Sequence, residues 1–325
     1  MNRLNLDSRQ QSNIARRCNG LVSTLIERAW EYGLVVQTLP CGATLIDAGV
    51  DALGSFEAGR ILIEICHGGL ANASLGLADI GGFLLPQVIV ESFHPTISTY
   101  GLQASYPLSA DEPGIRVSGP IRLYLDGAVA MENPAAIAVI ESDHLLDDEV
   151  ALALAARSNL PPRSLTLIVV PGWSVVGAVQ IAGRVNESVI FTLEESLKVD
   201  SRKVVHMIGQ APVCPVSRID SPAEKRPYPD DFIHYAGEVV LTLLTSPEDD
   251  LERLAHLLSF ASTSIYGSLF HDVLAAADGI FEAIPGLIHI NKPAQVTIED
   301  LSTGRAAHAG VKDVALLASL LGEAR

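Results

Sequence analysis

Apolar and polar positions along this chain follow two periods, and the switch between them marks the elements. Leu165 to Val170 reads Leu-Thr-Leu-Ile-Val-Val, an apolar and β-branched run that predicts a strand buried on both faces. Pro171-Gly172 ends it, and Ser174 is placed to cap a helix of roughly 20 residues. The apolar positions of that helix are Val175, Val176, Val179, Ile181, Ala182, Val185, Val189 and Ile190. They fall on nearly every side, so most of its surface is predicted to be covered. Between Ser174 and Leu193 the charged residues are Arg184 and Glu187. Three positions apart, they lie about one turn from each other on one face.

The rest of the chain alternates in the same way. Residues 8–32 predict a helix started by Ser8 or Ser12, with Leu21, Leu25, Ile26 and Trp30 as its apolar stripe and Gly33 as its end. Strands are predicted at 34–37 and 43–47, and a helix at 54–66 closed by Gly68-Gly69. Further strands are predicted around 88–90, 121–125, 136–141, 239–244 and 294–298. Helices are predicted at 147–158, 200–208, 247–258, 269–278 and 311–323. Residues 107–120 and 211–230 are rich in proline and read as loops. Strands and helices interleave throughout, which predicts an α+β fold with mixed layers. Leu160-Pro161-Pro162-Arg163 reads as a hinge between an N-terminal domain, 1–160, and a C-terminal domain, 161–325, with room for a discontinuous division.

Composition narrows the classes of function. The 325 residues, 48% hydrophobic and 18% charged, are ample for one large or two smaller cores. A net charge of −16 argues against nucleic acid and anionic membrane as partners. The four cysteines, Cys18, Cys41, Cys66 and Cys214, show neither CxxC spacing nor a matching histidine pair, as expected of reduced thiols in a cytoplasmic protein. No leader-like apolar run follows the polar N-terminus, and Gln180, Arg184, Asn186 and Glu187 make the long helix unsuited to a bilayer. No phosphate-binding glycine loop, zinc-protease motif or nucleophile elbow is present, so neither metal nor nucleotide cofactor is expected. His67, His94, His144 and His234 are scattered, and each reads more readily as a structural histidine than as a ligand or base.

An Arg/Glu pair three apart is often a solvated surface pair. On a helix with so few other polar groups it is also a candidate for chemistry, because such residues are seldom buried without a purpose. Gln180, one turn before Arg184, is placed to bond it or a ligand. Lys292 reads either as a solvated surface group or as a partner for a ligand carboxylate.

Several blocks, taken in order, resemble the methenyltetrahydromethanopterin cyclohydrolase family. They are Cys-Gly-Ala-Thr-Leu-Ile-Asp-Ala-Gly at 41–49, Phe-Glu-Ala-Gly-Arg at 56–60 and Glu-Ile-Cys-His-Gly-Gly-Leu at 64–70. Val-Gly-Ala-Val-Gln-Ile-Ala-Gly-Arg at 176–184 with Glu187 follows, then Ser-Thr-Ser-Ile-Tyr-Gly-Ser-Leu-Phe at 262–270. The resemblance implies two domains with a pterin in the cleft between them, a homotrimer, and hydrolysis of the methenyl bridge without metal or other cofactor. It implies Arg184 and Glu187 as the catalytic pair. It also implies contacts to the pterin substrate from Gln180, Gln103, Ser262, Thr263, Ser264 and Tyr266, although the three hydroxyl residues also read as caps of the next helix. The segments at 102–107, 228–237 and 291–294 depart from the family's pattern. A divergent paralogue that binds a reduced pterin without efficient hydrolysis is therefore the alternative, and an enzyme acting on the tetrahydrofolate analogue is a third reading.

Overall fold

The computed structural model describes residues 6–108, 115–125, 136–217, 228–280, 283–284, 286 and 290–323. The middle of each proline-rich loop predicted above, 109–114 and 218–227, lies outside the described residues. The fold is α+β, with two mixed sheets of six strands. The chain divides into two units, Met1–Asn72 with Ile97–Gln180, and Ala73–Thr96 with Ile181–Arg325. Among the described residues no helix is long and apolar enough to cross a membrane.

The first unit contains α1 (Ser8–Glu27), α2 (Ala29–Tyr32), β1 (Val35–Thr38), β2 (Thr44–Asp47) and α3 (Phe56–Cys66). After the excursion into the second unit come β5 (Tyr106–Pro107), β6 (Arg116–Ser118), β7 (Ile137–Glu141), α4 (Asp148–Ser158), β8 (Thr166–Val170) and α5 (Val175–Ala182), whose last two residues belong to the second unit. The strand order is β1-β2-β8-β7-β6-β5. β8 runs parallel to both neighbours, pairing Ile168 with Ile46 on one side and with Val139 on the other. The unbroken apolar run follows from this position. Ile168 and Val170 join α1 and α3 in one core, while Leu167 and Val169 join Ala151, Leu154 and Ala155 of α4 in another.

α1 begins at Ser8, as expected, but its cap and its buried stripe differ from the expectation. Asp7 caps it, accepting from the Gln10 amide while the Gln10 side chain accepts from the Asp7 amide, a reciprocal capping box. The buried positions are Ile14, Ala15, Cys18, Val22 and Leu25, whereas Ile26 and Trp30 are exposed. The expected strand at 121–125 is instead a 3-10 turn over Pro120–Leu123. Gly119 at φ +90° turns the chain, and the fixed φ of Pro120 starts the tighter helix.

The second unit contains β3 (Ala71–Ile80), β4 (Phe83–Ser92), α6 (Val185–Phe191), β9 (Val204–Pro212), α7 (Pro229–Ala236), β10 (Glu238–Leu243), α8 (Leu251–Leu258), α9 (Phe270–Ala275), β11 (Gln295–Asp300), β12 (Ala306–Gly310) and α10 (Val314–Glu323). Its strand order is β12-β11-β10-β9-β4-β3, with β10 and β11 parallel. The helix expected at 200–208 is one 3-10 turn, Ser201–Lys203, followed by β9. Met207, Gly209 and Ala211 are buried in alternation, the period of a half-covered strand, and pairing with β4 and β10 overrides local helix preference.

The long helix predicted after Ser174 forms in pieces. Ser174 does cap it: its Oγ accepts from the Gly177 amide at 3.0 Å. α5 ends at Ala182, Gly183 and Arg184 form a turn, and α6 begins at Val185. A widened π-helical segment, Thr192–Leu197, then runs to Lys198, whose positive φ ends the helix.

Candidate functional site

The turn between α5 and α6 places the two charged residues. Arg184 sits at the N-cap of α6, with φ −84° and ψ 0°, and Glu187 lies in the first turn. A carboxylate there is favoured by the unpaired amides and the dipole of the helix start. Arg184 Nη1 donates to Glu187 Oε2 at 2.5 Å, and each side chain is 15% exposed. Both groups are thus largely covered while still reaching solvent. Glu187 Oε1 takes no hydrogen bond from any described residue, so one carboxylate oxygen is fixed by the guanidinium and the other is open to a water proton.

The residue between them anchors the helix start. Asn186 is fully buried, and its Nδ2 donates to the Val90 carbonyl at 3.0 Å and to Ser92 Oγ at 2.9 Å, both on β4. In the sequence Asn186 counts only among the polar residues that make this helix unsuited to a bilayer. Its role depends on a strand 96 residues earlier, which no local pattern reveals.

The expected ligand contacts divide between the units. In the first, Gln180 is buried with its Nε2 3.7 Å from Cys66 Sγ, which lies 3.8 Å from Ser118 Oγ. Gln103 is also buried, at the end of a π-helical segment, Thr96–Gln103. In the second unit, Ser262 closes a 3-10 turn after α8. Its Oγ donates to the Ser259 carbonyl at 2.8 Å and accepts from Lys292 Nζ at 2.9 Å. Thr263 Oγ1 is covered and has no partner among the described residues, while Ser264 and Tyr266 are exposed. None of the three hydroxyls caps the following helix, whose N-cap is Leu269.

Lys292 is not a solvated surface group. It is 6% exposed, donates to the Leu257 carbonyl at 2.7 Å, and burial lowers its amine to about 8. Leu257 lies in the last turn of α8, where a cation is favourable.

Of the four histidines singled out, His94 and His144 are exposed, and His67 is buried with Nδ1 2.9 Å from the Ile63 carbonyl. His234 is buried and stacked on Phe260, with ring centroids 4.3 Å apart, and its Nε2 lies 3.3 Å from Asn291 Oδ1. Burial lowers His234 to about 4. On the same helix, burial raises Asp231 to about 6, even though its carboxylate accepts from the Phe270 and Tyr228 amides. Their linkage to stability has opposite signs. Neutral His234 contributes fully above its unfolded value near 6.5 and loses that contribution as pH falls toward 4. Protonated Asp231 contributes fully below its unfolded value near 3.8 and loses that contribution as pH rises through about 6. Between pH 6 and 4 the two offset each other. We expect Asp231→Asn to expose the histidine, losing about 3 kcal/mol relative to wild type between pH 6.5 and 4 in urea unfolding. His234→Leu should gain relative stability over the same fall. A flat difference for both variants excludes the assignment.

The chain matches, over residues 13–320, the family described as cyclohydrolase (MCH). It is 35% identical to methenyltetrahydromethanopterin cyclohydrolase of Methanococcus maripaludis strain C7, over 91% of this chain and 94% of that protein. Identity to the enzyme of the same name from Methanothermobacter marburgensis is 33%, over 93% and 97%. For that of Methanocaldococcus jannaschii it is 31%, over 95% and 98%.

Proposed function

The chain belongs to the methenyltetrahydromethanopterin cyclohydrolase family, and on that premise we propose that it hydrolyses the methenyl bridge of the 5,10-methenyltetrahydromethanopterin cation to the 5-formyl derivative. Glu187 acts as general base, and Arg184 as its orienting and electrostatic partner. The observation that supports this assignment is the one-sided pairing: Arg184 holds Oε2 at 2.5 Å while Oε1 accepts nothing from the described residues.

The methenyl carbon lies between two nitrogens and is already cationic, so the reaction needs a placed water and a base rather than a metal. Glu187 removes a proton as the water oxygen attacks; the new C–O bond neutralises the amidinium and leaves a tetrahedral carbinol. The bond from this carbon to nitrogen 10 then breaks, the protonated Glu187 delivers its proton to that nitrogen, and the carbinol proton leaves to water. The sum is one water consumed and one proton released. Arg184 stabilises charge on the oxygen as the formyl carbonyl forms. Gln180, Gln103, Ser262, Thr263, Ser264 and Tyr266 are assigned to the substrate, with Ser262 acting from a rigid frame set by Lys292.

The test follows the absorption band of the methenyl cation after mixing with the purified chain. Catalytic loss of the band, first order in protein, is the expected result. Saturable binding without loss of the band overturns hydrolysis and leaves a pterin-binding paralogue. Specificity constants measured beside the tetrahydrofolate analogue decide between the two pterins. The same reading places the chain in the cytoplasm as a homotrimer, with sedimentation equilibrium expected to give three times the chain mass.

A further inference from the structure

Three observations meet at the start of α6. Asn186 stands between Arg184 and Glu187, fully buried, and its Nδ2 is fixed by Val90 and Ser92 of β4. Its Oδ1 is also buried and has no hydrogen-bond partner among the described residues. That oxygen faces Gly209 of β9: a Cβ on Gly209 would stand 2.2 Å from Asn186 Oδ1 and 2.9 Å from Val185 Cγ1. Gly209 is the register partner of Val90, so the amide of Asn186 lies across one β4–β9 residue pair, bonded to one member and seated on the bare Cα of the other. A Cα–H directed at a carbonyl oxygen is a weak attraction, and it spares Oδ1 a repulsive neighbour.

We propose that Asn186 and Gly209 together form a positioning device that sets the height and rotation of α6 on the sheet, and thereby the placement of the Arg184–Glu187 pair. The proposal rests on the functional reading above. Neither residue touches the reacting atoms; they act through the pair. Gly209 has no side chain because the amide occupies its place, and residue 186 is an amide because one face must donate to a strand carbonyl while the other meets only a C–H. A shift of about 1 Å in a placed base costs as much as 100-fold in rate.

The test uses the full chain and the methenyl assay. Asn186→Ser, which shortens the side chain, is expected to lower kcat about 5-fold, and Gly209→Ala, which drives a methyl into the amide, about 50-fold, with KM held within about threefold in both. In the double variant the added methyl no longer meets the amide but still meets Val185 Cγ1 at 2.9 Å, so its loss is expected to fall no further than that of Gly209→Ala alone; independent effects would instead multiply to about 250-fold. Multiplied losses, or an unchanged kcat in folded Gly209→Ala, overturn the proposal. A role in folding alone would lower the thermal midpoint and leave kcat intact. Should Gly209→Ala fail to fold, Asn186→Asp carries the test. Its carboxylate opposes the Val90 carbonyl, and it is expected to lower kcat at unchanged KM; a normal kcat there overturns the proposal equally. Glu187→Gln is assayed in parallel. If that variant keeps full turnover, the functional reading fails; if it loses turnover while the Asn186 and Gly209 variants keep theirs, the positioning device alone fails.

Discussion

Glu187→Gln is expected to lower kcat about 1000-fold, a loss near 4 kcal/mol of transition-state stabilisation, within the range that general bases contribute. The substitution isolates basicity. A glutamine oxygen still accepts from Arg184 Nη1, so the contact that holds the side chain at 2.5 Å persists, and the thermal midpoint should stay close to wild type. Since ground-state contacts are retained, KM should change little. Arg184→Met is expected to act differently. It leaves a carboxylate only 15% exposed without its partner, so stability and kcat should fall together. Lysine at the same position is not a conservative replacement, because an ammonium on a shorter reach does not reproduce the planar donor. Single-turnover decay of the methenyl band, with each variant first shown to be folded, measures these effects. Wild-type rates in Glu187→Gln would remove Glu187 from the chemistry.

The largest expected effect on stability lies in the first unit, at Asp47. Its carboxylate ends β2, is 2% exposed, and accepts four backbone amides. Oδ1 takes those of Gly49 and Val50 at 2.9 and 2.7 Å; Oδ2 takes those of Asp51 and Ala52, both at 2.9 Å. Together they hold the turn that leads from β2 to α3. This turn packs tightly: a Cβ on Gly49 would stand 2.4 Å from Ser174 Cβ, and one on Gly54 would stand 2.4 Å from Val176 Cγ2. Charge-assisted hydrogen bonds contribute about 1.5–3 kcal/mol each, and part of the loss is recovered where water reaches the freed amides, so Asp47→Ala is expected to cost about 4 kcal/mol. Asp47→Asn should cost nearly as much despite its matching shape, because its NH2 group faces amide donors. Urea midpoints of both variants test this. A near-neutral Asp47→Asn would show that the turn is held by packing rather than by the carboxylate.

The sequence made some of this visible and hid the rest for identifiable reasons. The Leu165–Val170 run, the cap at Ser174 and the helix at Asp148–Ser158 were legible because local pattern and final environment agree there. The start of β9 reads as helix in the sequence, because its alternation acquires meaning only when β4 and β10 lie beside it. The stripe of α1 was displaced because Trp30 and Ile26, apolar by composition, lie on an uncovered side. Spacing alone put Arg184 one turn from Glu187. It did not show that a break at Gly183 makes Arg184 an N-cap, nor that Lys292 is buried against the end of α8.

What the amino-acid order determined unaided is which residues pair with near neighbours: caps, turns, strand periodicity, and an acid three positions from a guanidinium. These depend on contacts within about one helical turn, where backbone geometry fixes distance. The tertiary structure alone decided what stands against each such group. Asn186 meets Val90 and Gly209, and His234 stacks on Phe260, across separations that no periodicity encodes. The environment of a charged or polar side chain is a property of the strands and helices brought around it, and it sets how firmly the group is held and which protons it can exchange.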